Sequence, residues 1–263
     1  MLRAFSTAAT GMTAQQMIVD NIANNLANIN TTGFKRTQVD FQDLMYTKMQ
    51  QSGREVANSV TAPSGFEIGS GVRPASTLKV YTPGEMENTG RNLDVAIQGD
   101  GFLQVNVPSA GTRYTRDGSL QVNATGQLVT SSGYQLEPSM TIPIDATSIS
   151  IGTDGTVSAL SGTAVAPTVV GVLSMVRFAN PSGLSSEGNN LLAETAASGT
   201  PTTGKAGDAG FGSIQQGFLE KSNVQMVTEL VNLITAQRAY ETNSRAISAG
   251  DSMLQTANRL AGG

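Results

Sequence analysis

Two segments at opposite ends of this 263-residue chain carry apolar residues at helical steps, while the residues between them follow a different rhythm. Phe5, Ala8, Met12, Gln15, Val19, Ile22, Leu26 and Ile29 alternate steps of three and four across residues 1–33. Met226, Leu230, Leu233, Tyr240, Ile247 and Leu254 do something similar across residues 219–261, thickened by Val227, Val231 and Ile234. Side chains at these steps share one face of a helix, so each end offers an apolar seam that needs a partner. The nearest candidate is the other end of the same chain.

The faces opposite the seams carry little charge. Residues 1–34 hold two charged side chains, Arg3 and Asp20, among Asn, Gln, Ser, Thr and Ala. A solvated helix or a soluble two-stranded coil ordinarily carries charged flanks, so these helices are suited to neighbours on several sides. Burying Phe5, Met12, Val19, Ile22, Leu26 and Ile29 contributes roughly 9 to 18 kcal/mol at most. Ordering about thirty residues costs at least as much. The expectation is that the ends are marginal alone and become ordered on assembly, as helices roughly 45 Å long.

Composition narrows the chemistry. The chain has no His, Cys or Trp, which removes imidazole bases, thiolate nucleophiles and the usual zinc and haem ligands, so neither a metal nor a cofactor is expected. The formal charge of −4 comes from the middle, where residues 100–217 hold eight acidic and four basic side chains. Without a basic stripe, nucleic-acid binding has little electrostatic support. No apolar run approaches the length that spans a bilayer. The N-terminus also lacks the pattern of a cleaved signal peptide.

In the middle the period changes to two. Residues 76–81, 93–97, 102–107, 119–122 and 127–129 read as short strands, and Val169–Phe178 as a longer buried one. Turn signals such as Asp117-Gly118, Thr125-Gly126, Ser132-Gly133 and Asp154-Gly155 separate strand candidates, which predicts an antiparallel all-β body. Gly33 with Phe34 reads as a Schellman-type helix stop. Residues 35–70 read as an extended connector and 196–213 as a linker. Ser222 with Gln225 reads as a capping box opening the second helix. The expected class is therefore α+β: a discontinuous helical domain of residues 1–34 and 219–263 with its two helices paired as a coiled coil, a connector, and a central β-domain over residues 71–218.

Three local patterns invite a chemical reading. Gly99-Asp100-Gly101 could cradle a phosphate, but a strand follows where a nucleotide fold needs a helix, so a hairpin turn is expected. Asp94, Asp100, Asp117, Asp145 and Asp154 lack the spacing of a calcium loop and read as solvated turn formers. Arg113 and Arg116, flanking Tyr114, read as exposed strand charges rather than an anion site. The rival functional classes are a cell-wall enzyme or sugar-binding module using Asp94, Asp117 or Asp145, and a trimeric adhesin.

One motif at each end carries a resemblance. Asn24-Asn25-Leu26-Ala27-Asn28-Ile29-Asn30-Thr31-Thr32-Gly33-Phe34-Lys35 resembles the N-terminal signature of bacterial flagellar rod and hook proteins. Glu220-Lys221-Ser222-Asn223-Val224, Leu233 to Glu241 (with Gln237, Arg238 and Tyr240) and Asp251-Ser252-Met253-Leu254 resemble the C-terminal signature. Length, Ile68 to Arg73, Leu93 to Phe102 and Tyr114 to Gly118 are most similar to the distal rod branch, with proximal rod and hook branches as alternatives.

The resemblance implies a non-enzymatic subunit of a helical homopolymer, a hollow shaft that transmits torque and surrounds an export channel. It further implies as partners the adjacent proximal rod subunits, hook or hook-junction proteins, peptidoglycan and outer-membrane ring proteins, and a type III export apparatus that passes the chain without cleaving it. The residues expected to carry assembly are Phe5, Met12, Val19, Ile22, Leu26, Ile29, Met226, Leu230, Leu233, Ile234, Tyr240, Ile247 and Leu254. Membrane insertion is not expected.

Overall fold

The computed structural model describes residues 2–50, 55–57, 60–61, 64–108, 110–162 and 166–261. The chain is α+β, with helices α1 (Leu2–Ala27) and α2 (Met226–Ala261) at its ends and antiparallel strands between them. It divides into two compact units. One comprises Met1–Leu26, Thr37–Leu78 and Gln225–Gly263, and the other Ala27–Arg36 and Lys79–Val224.

In the helical unit, small residues set the approach of the two helices. A Cβ on Gly11 would lie 3.0 Å from Nδ2 of Asn243, and one on Gly250 would lie 2.9 Å from the ring of Phe5. As residue numbers rise along α1 the contacts fall along α2, so the helices run antiparallel. Ala14 and Ile22 of α1 and Ala236 of α2 are buried.

After α1 the chain is folded back onto it. Asn25, wholly buried, donates to the Thr37 carbonyl at 2.9 Å and accepts from the Thr37 N–H at 2.9 Å. Its amide therefore takes the place of a strand neighbour for the first residue of strand Thr37–Asp43, which pairs with Val72–Lys79. The connector expected over residues 35–70 also contains Thr47–Gln50, paired antiparallel with Phe66–Ile68. Residues 51–54, 58–59 and 62–63 of that expectation lie outside the described residues.

The β unit is built on one large antiparallel sheet. Its main path runs Leu120–Val122, Leu128–Thr130, Gln135–Glu137, Phe102–Val107, Gly111–Thr115, Leu191–Ala193, Ser185–Gly188, and Ser174–Arg177 adds Thr202–Lys205 beside it. Period two sorts the side chains of its central strand. Leu103, Val105 and Val107 enter a core with Ile97, Leu120, Leu136 and Met175. Phe102 faces the other way, into a cluster with Tyr114, Val176, Phe178, Leu184 and Leu192. There Tyr114 and Phe178 meet edge to face at 4.8 Å, and Phe102 does the same with Phe178 at 5.9 Å.

Several local expectations are corrected. The run Val169–Phe178 is two strands, Thr168–Val172 and Ser174–Arg177, in different sheets. They are separated at Leu173, whose N–H bonds the Gly155 carbonyl at 2.8 Å. Residues 196–213 are not a linker, since Ser198 is fully buried and Thr202–Lys205 is a sheet strand. The predicted hairpin at Gly99-Asp100-Gly101 does not form. Val95–Gln98 pairs with Ser213–Gln216, while Phe102–Val107 belongs to the large sheet. Gly33 does not close a helix either: α1 ends at Ala27, and the Gly33 N–H bonds the Glu220 carbonyl at 2.8 Å. Nor is Ser222 the cap of α2, because the Gln225 carbonyl accepts the first helical bond, from Glu229 N–H at 3.0 Å.

Candidate assembly surface and its anchor

The apolar positions of α2 fall into two stripes. Leu233, Ala236, Asn243, Ile247, Gly250 and Leu254, at helical steps, are buried or half-buried. A second stripe occupies the first three turns and faces outward: Met226 is 51% exposed, Val227 75%, Leu230 40%, Val231 57% and Ile234 51%. Tyr240, four residues after Ala236 and three before Asn243, falls on the covered stripe yet stays 42% exposed. Among the described residues nothing covers the outer part of the second stripe's side chains. Burying the five aliphatic members against another surface contributes roughly 4 to 8 kcal/mol, taking about 1.5 to 3 kcal/mol each and about half of each side chain open.

On α1 the predicted seam is covered to varying degrees. Ile22 is buried, while Phe5, Met12, Val19 and Leu26 are half-buried, as is Ile29 in the turn that follows. Two polar residues also belong to the interior: Asn25, which the N-terminal motif marked, and Glu229 of α2 at 1% exposure, which sequence reasoning missed. The signal for Asn25 was its place in the motif rather than any periodicity.

The rest of that motif sits in the β unit, where each residue has a distinct task. Asn28 closes a turn by accepting from the Thr31 hydroxyl at 3.1 Å, and the Thr32 hydroxyl donates to Asp117 at 2.8 Å. Gly33 has φ +67, and a Cβ there would stand 2.8 Å from the Arg116 carbonyl carbon and 2.9 Å from the Asp117 nitrogen. Only glycine satisfies both the left-handed backbone and the close approach. Phe34 is half-buried, and Asn24 and Asn30 are exposed.

Next comes the strongest electrostatic feature of the molecule. Glu220, 2% exposed, receives Lys35 Nζ at 2.7 Å on one carboxylate oxygen and Arg116 Nε at 2.5 Å on the other. The Gly84 N–H adds a 2.9 Å bond. The remaining Arg116 nitrogens donate to the carbonyls of Gly101 at 2.9 Å, Ile97 at 3.2 Å and Gly99 at 2.6 Å. The loop Gly99-Asp100-Gly101 is thus a carbonyl cradle for a cation, and glycine at φ +111 and +145 lets those carbonyls turn inward. Arg116 itself is 6% exposed, which corrects its reading as a surface charge.

One carboxylate serving two cations leaves the cluster with a net positive charge. Burial pushes the Glu220 pKa up, but the charges of Arg116 and Lys35 outweigh it and hold the carboxyl below the usual glutamate value. Burial, together with the like charge of Arg116, lowers Lys35 despite its ion pair. Chemically the cluster is a clamp. It joins the chain just after α1 to the chain just before α2, helped by Asn223, which bonds the Arg36 N–H at 2.7 Å and the Val80 carbonyl at 2.8 Å.

The aspartates considered for catalysis have structural partners. Asp94 accepts from the Thr89 hydroxyl at 2.6 Å, and Asp117 accepts from Thr32, Ser119 and Asn190. Both are buried, so they are not the solvated turn formers expected. Asp154 is one, bonding Thr156 across its turn. Arg113 pairs with Glu187 at 2.6 Å on the surface. Gln237, Arg238 and Glu241 of the C-terminal motif are exposed on α2. Among the described residues no helix is long and apolar enough to cross a membrane.

Comparison with known proteins covers the whole chain. Residues 5–35 match the family described as flagella basal body rod protein, residues 96–159 the flagellar hook protein FlgE/F/G D1 domain, and residues 215–260 the flagellar basal body rod FlgEFG protein C-terminal family. The chain is 46% identical to the flagellar basal-body rod protein FlgG of Buchnera aphidicola subsp. Schizaphis graminum, over 99% of this chain and 100% of that one. It is 45% identical to FlgG of Borreliella burgdorferi, over 99% of both chains. It is also 38% identical to the flagellar hook-basal body complex protein FlhP of Bacillus subtilis, over 99% of this chain and 100% of that one.

Proposed function

The chain belongs to the flagellar basal-body rod protein family, and from that premise we propose that it is the self-assembling axial subunit of the distal rod. In this reading copies stack helically into a rigid hollow shaft that carries torque and surrounds an export channel. The open stripe Met226, Val227, Leu230, Val231 and Ile234 packs against neighbouring copies, and the exposed motif residues Gln237, Arg238 and Glu241 lie at the same contacts. The observation that carries the proposal is that stripe: three turns of helix with apolar side chains 40–75% exposed, continuous with a second face already used inside the chain.

The role is mechanical rather than catalytic. The buried carboxylates of Asp94 and Asp117 are engaged in holding turns and the β unit together, and the carboxylate of Glu220 is taken up by Lys35 and Arg116. The proposed partners are further copies, proximal rod and hook subunits, and the peptidoglycan and outer-membrane ring proteins around a periplasm-spanning rod. Delivery is through the type III export apparatus without cleavage, and the terminal helices acquire full order as copies meet.

The test is assembly of the purified chain. Negative-stain electron microscopy across rising protein concentration is expected to show hollow filaments above a threshold. Monodisperse particles without a lumen at every concentration would contradict the proposal.

A further inference from the structure

Sulfur in this chain is confined to methionine. With no cysteine and no tryptophan present, the ten methionine thioethers are its most readily oxidised groups.

The fold sorts these methionines by unit. In the β unit Met140 is 3% exposed and Met175 0%, and Met86 is half-buried. A Cβ on Gly171 would stand 2.8 Å from the Met140 sulfur, so backbone shields that thioether directly. In the helical unit Met17, Met45, Met49, Met226 and Met253 are exposed, at 36% to 86%. Among the described residues every exposed methionine belongs to the unit that leaves an apolar stripe open.

Met226 differs from the other four in its place. It is the first residue of α2 and shares a helix face with Leu230 and Ile234 at steps of four, at the head of the open stripe. An unbranched, polarizable thioether adapts there to an irregular neighbour. The same atom is the one an oxidant attacks. A peroxide transfers one oxygen atom to the sulfur: the thioether loses two electrons and becomes a sulfoxide, the O–O bond breaks, and hydrogen peroxide is reduced to water. The product is polar and chiral, with a strong acceptor oxygen that an apolar neighbour leaves without a donor.

We propose that Met226 is a reversible oxidation site, at which a peroxide-class oxidant converts an assembly-competent copy into one excluded from the polymer. This rests on the reading of the chain as a self-assembling subunit and adds a chemical control that the reading does not contain. The site is open only in the free copy. Once a neighbour covers the stripe the sulfur is shielded, so the polymer stays reduced while free copies take up the oxidant.

Hydrogen peroxide is the probe. Free chain and polymer are treated alike, and peptide mass spectrometry follows each methionine. In the free chain Met226 is expected to oxidise while Met140 and Met175 stay reduced, and in the polymer Met226 is expected to react at least about tenfold more slowly. The oxidised free chain is expected to need a critical concentration about tenfold higher, with its circular dichroism unchanged, and methionine sulfoxide reductases acting on both epimers to restore the original value. Met226→Gln, a permanently polar substitute, is expected to reproduce the rise without peroxide. Met226→Leu is expected to hold the critical concentration within about twofold after the same treatment. An equal peroxide response in Met226→Leu assigns the effect to another methionine and overturns the site. So does a Met226 that stays reduced in the free chain, an oxidised chain that assembles at the original threshold, or a loss of helical signal on oxidation. Each of these leaves the assembly reading standing. Failure of the untreated chain to polymerise overturns that reading, and the oxidation site with it.

Discussion

The helical unit and the β unit solve the problem of stability in opposite ways. The β unit closes on itself: its cores are buried on both faces of the large sheet, and its charged cluster is satisfied by its own carbonyls and one carboxylate. The helical unit stays open, with one stripe of α2 used inside the chain and another left to solvent. A segment that leaves an apolar stripe uncovered in isolation gains its remaining stability by association. The difference separates residues that hold a copy together from residues that hold copies to one another.

The comparison is sharpened first at Glu220. Glu220→Gln leaves Lys35 and Arg116 buried without a counter-charge and is expected to destabilise the β unit by about 3 to 5 kcal/mol in urea unfolding. The same carboxylate sets an acid limit. Its folded pKa lies below the unfolded value, so its contribution is present above about pH 4.5 and is lost as pH falls through the folded pKa. Urea midpoints between pH 6 and pH 3 should fall more steeply for the unaltered chain than for Glu220→Gln. Equal slopes would remove Glu220 from that role.

The open stripe gives the next largest effect, on assembly instead of folding. Val227→Asp with Val231→Asp is expected to raise the critical concentration by about 100-fold or more, equivalent to about 2.7 kcal/mol, as read by light scattering. Circular dichroism of the monomer should be unchanged, because both side chains already face water. A fall in monomer stability would place these residues inside the copy and break the distinction between the two stripes. Gly33→Ala should cost about 2 kcal/mol of β-unit stability from backbone strain and crowding against Arg116. At the other extreme, Arg113→Ala removes a surface pair with Glu187 and should shift stability by less than about 1 kcal/mol.

Much of the local structure was legible because helical and strand periods are written residue by residue. The steps from Phe5 to Leu26 and the alternation of Phe102 to Val107 both correspond to elements in the fold. What the periods do not encode is pairing at a distance. Val95–Gln98 and Phe102–Val107 are adjacent in sequence and flank a turn-like Gly-Asp-Gly, yet each finds its partner elsewhere.

Arg116 was unreadable for the same reason. A charged residue near a strand end is ordinarily solvated, and its burial depends on Glu220, 104 residues away. The motif resemblance marked Lys35, Gly33 and Glu220 as special without saying that they meet. Likewise the two stripes of α2 read as one thick seam, since sequence gives the face of a helix but not which neighbour covers it.

The measurement that bears most directly on the two-stripe account is a helical reconstruction of the polymer by electron cryomicroscopy at side-chain resolution. The account predicts Val227, Leu230, Val231 and Ile234 buried between copies, with Ala14 and Ala236 still buried and Gly11 still against Asn243 within each chain. A polymer in which that stripe faces solvent, or in which the helices exchange their internal pairing for contacts through the covered face, would contradict it.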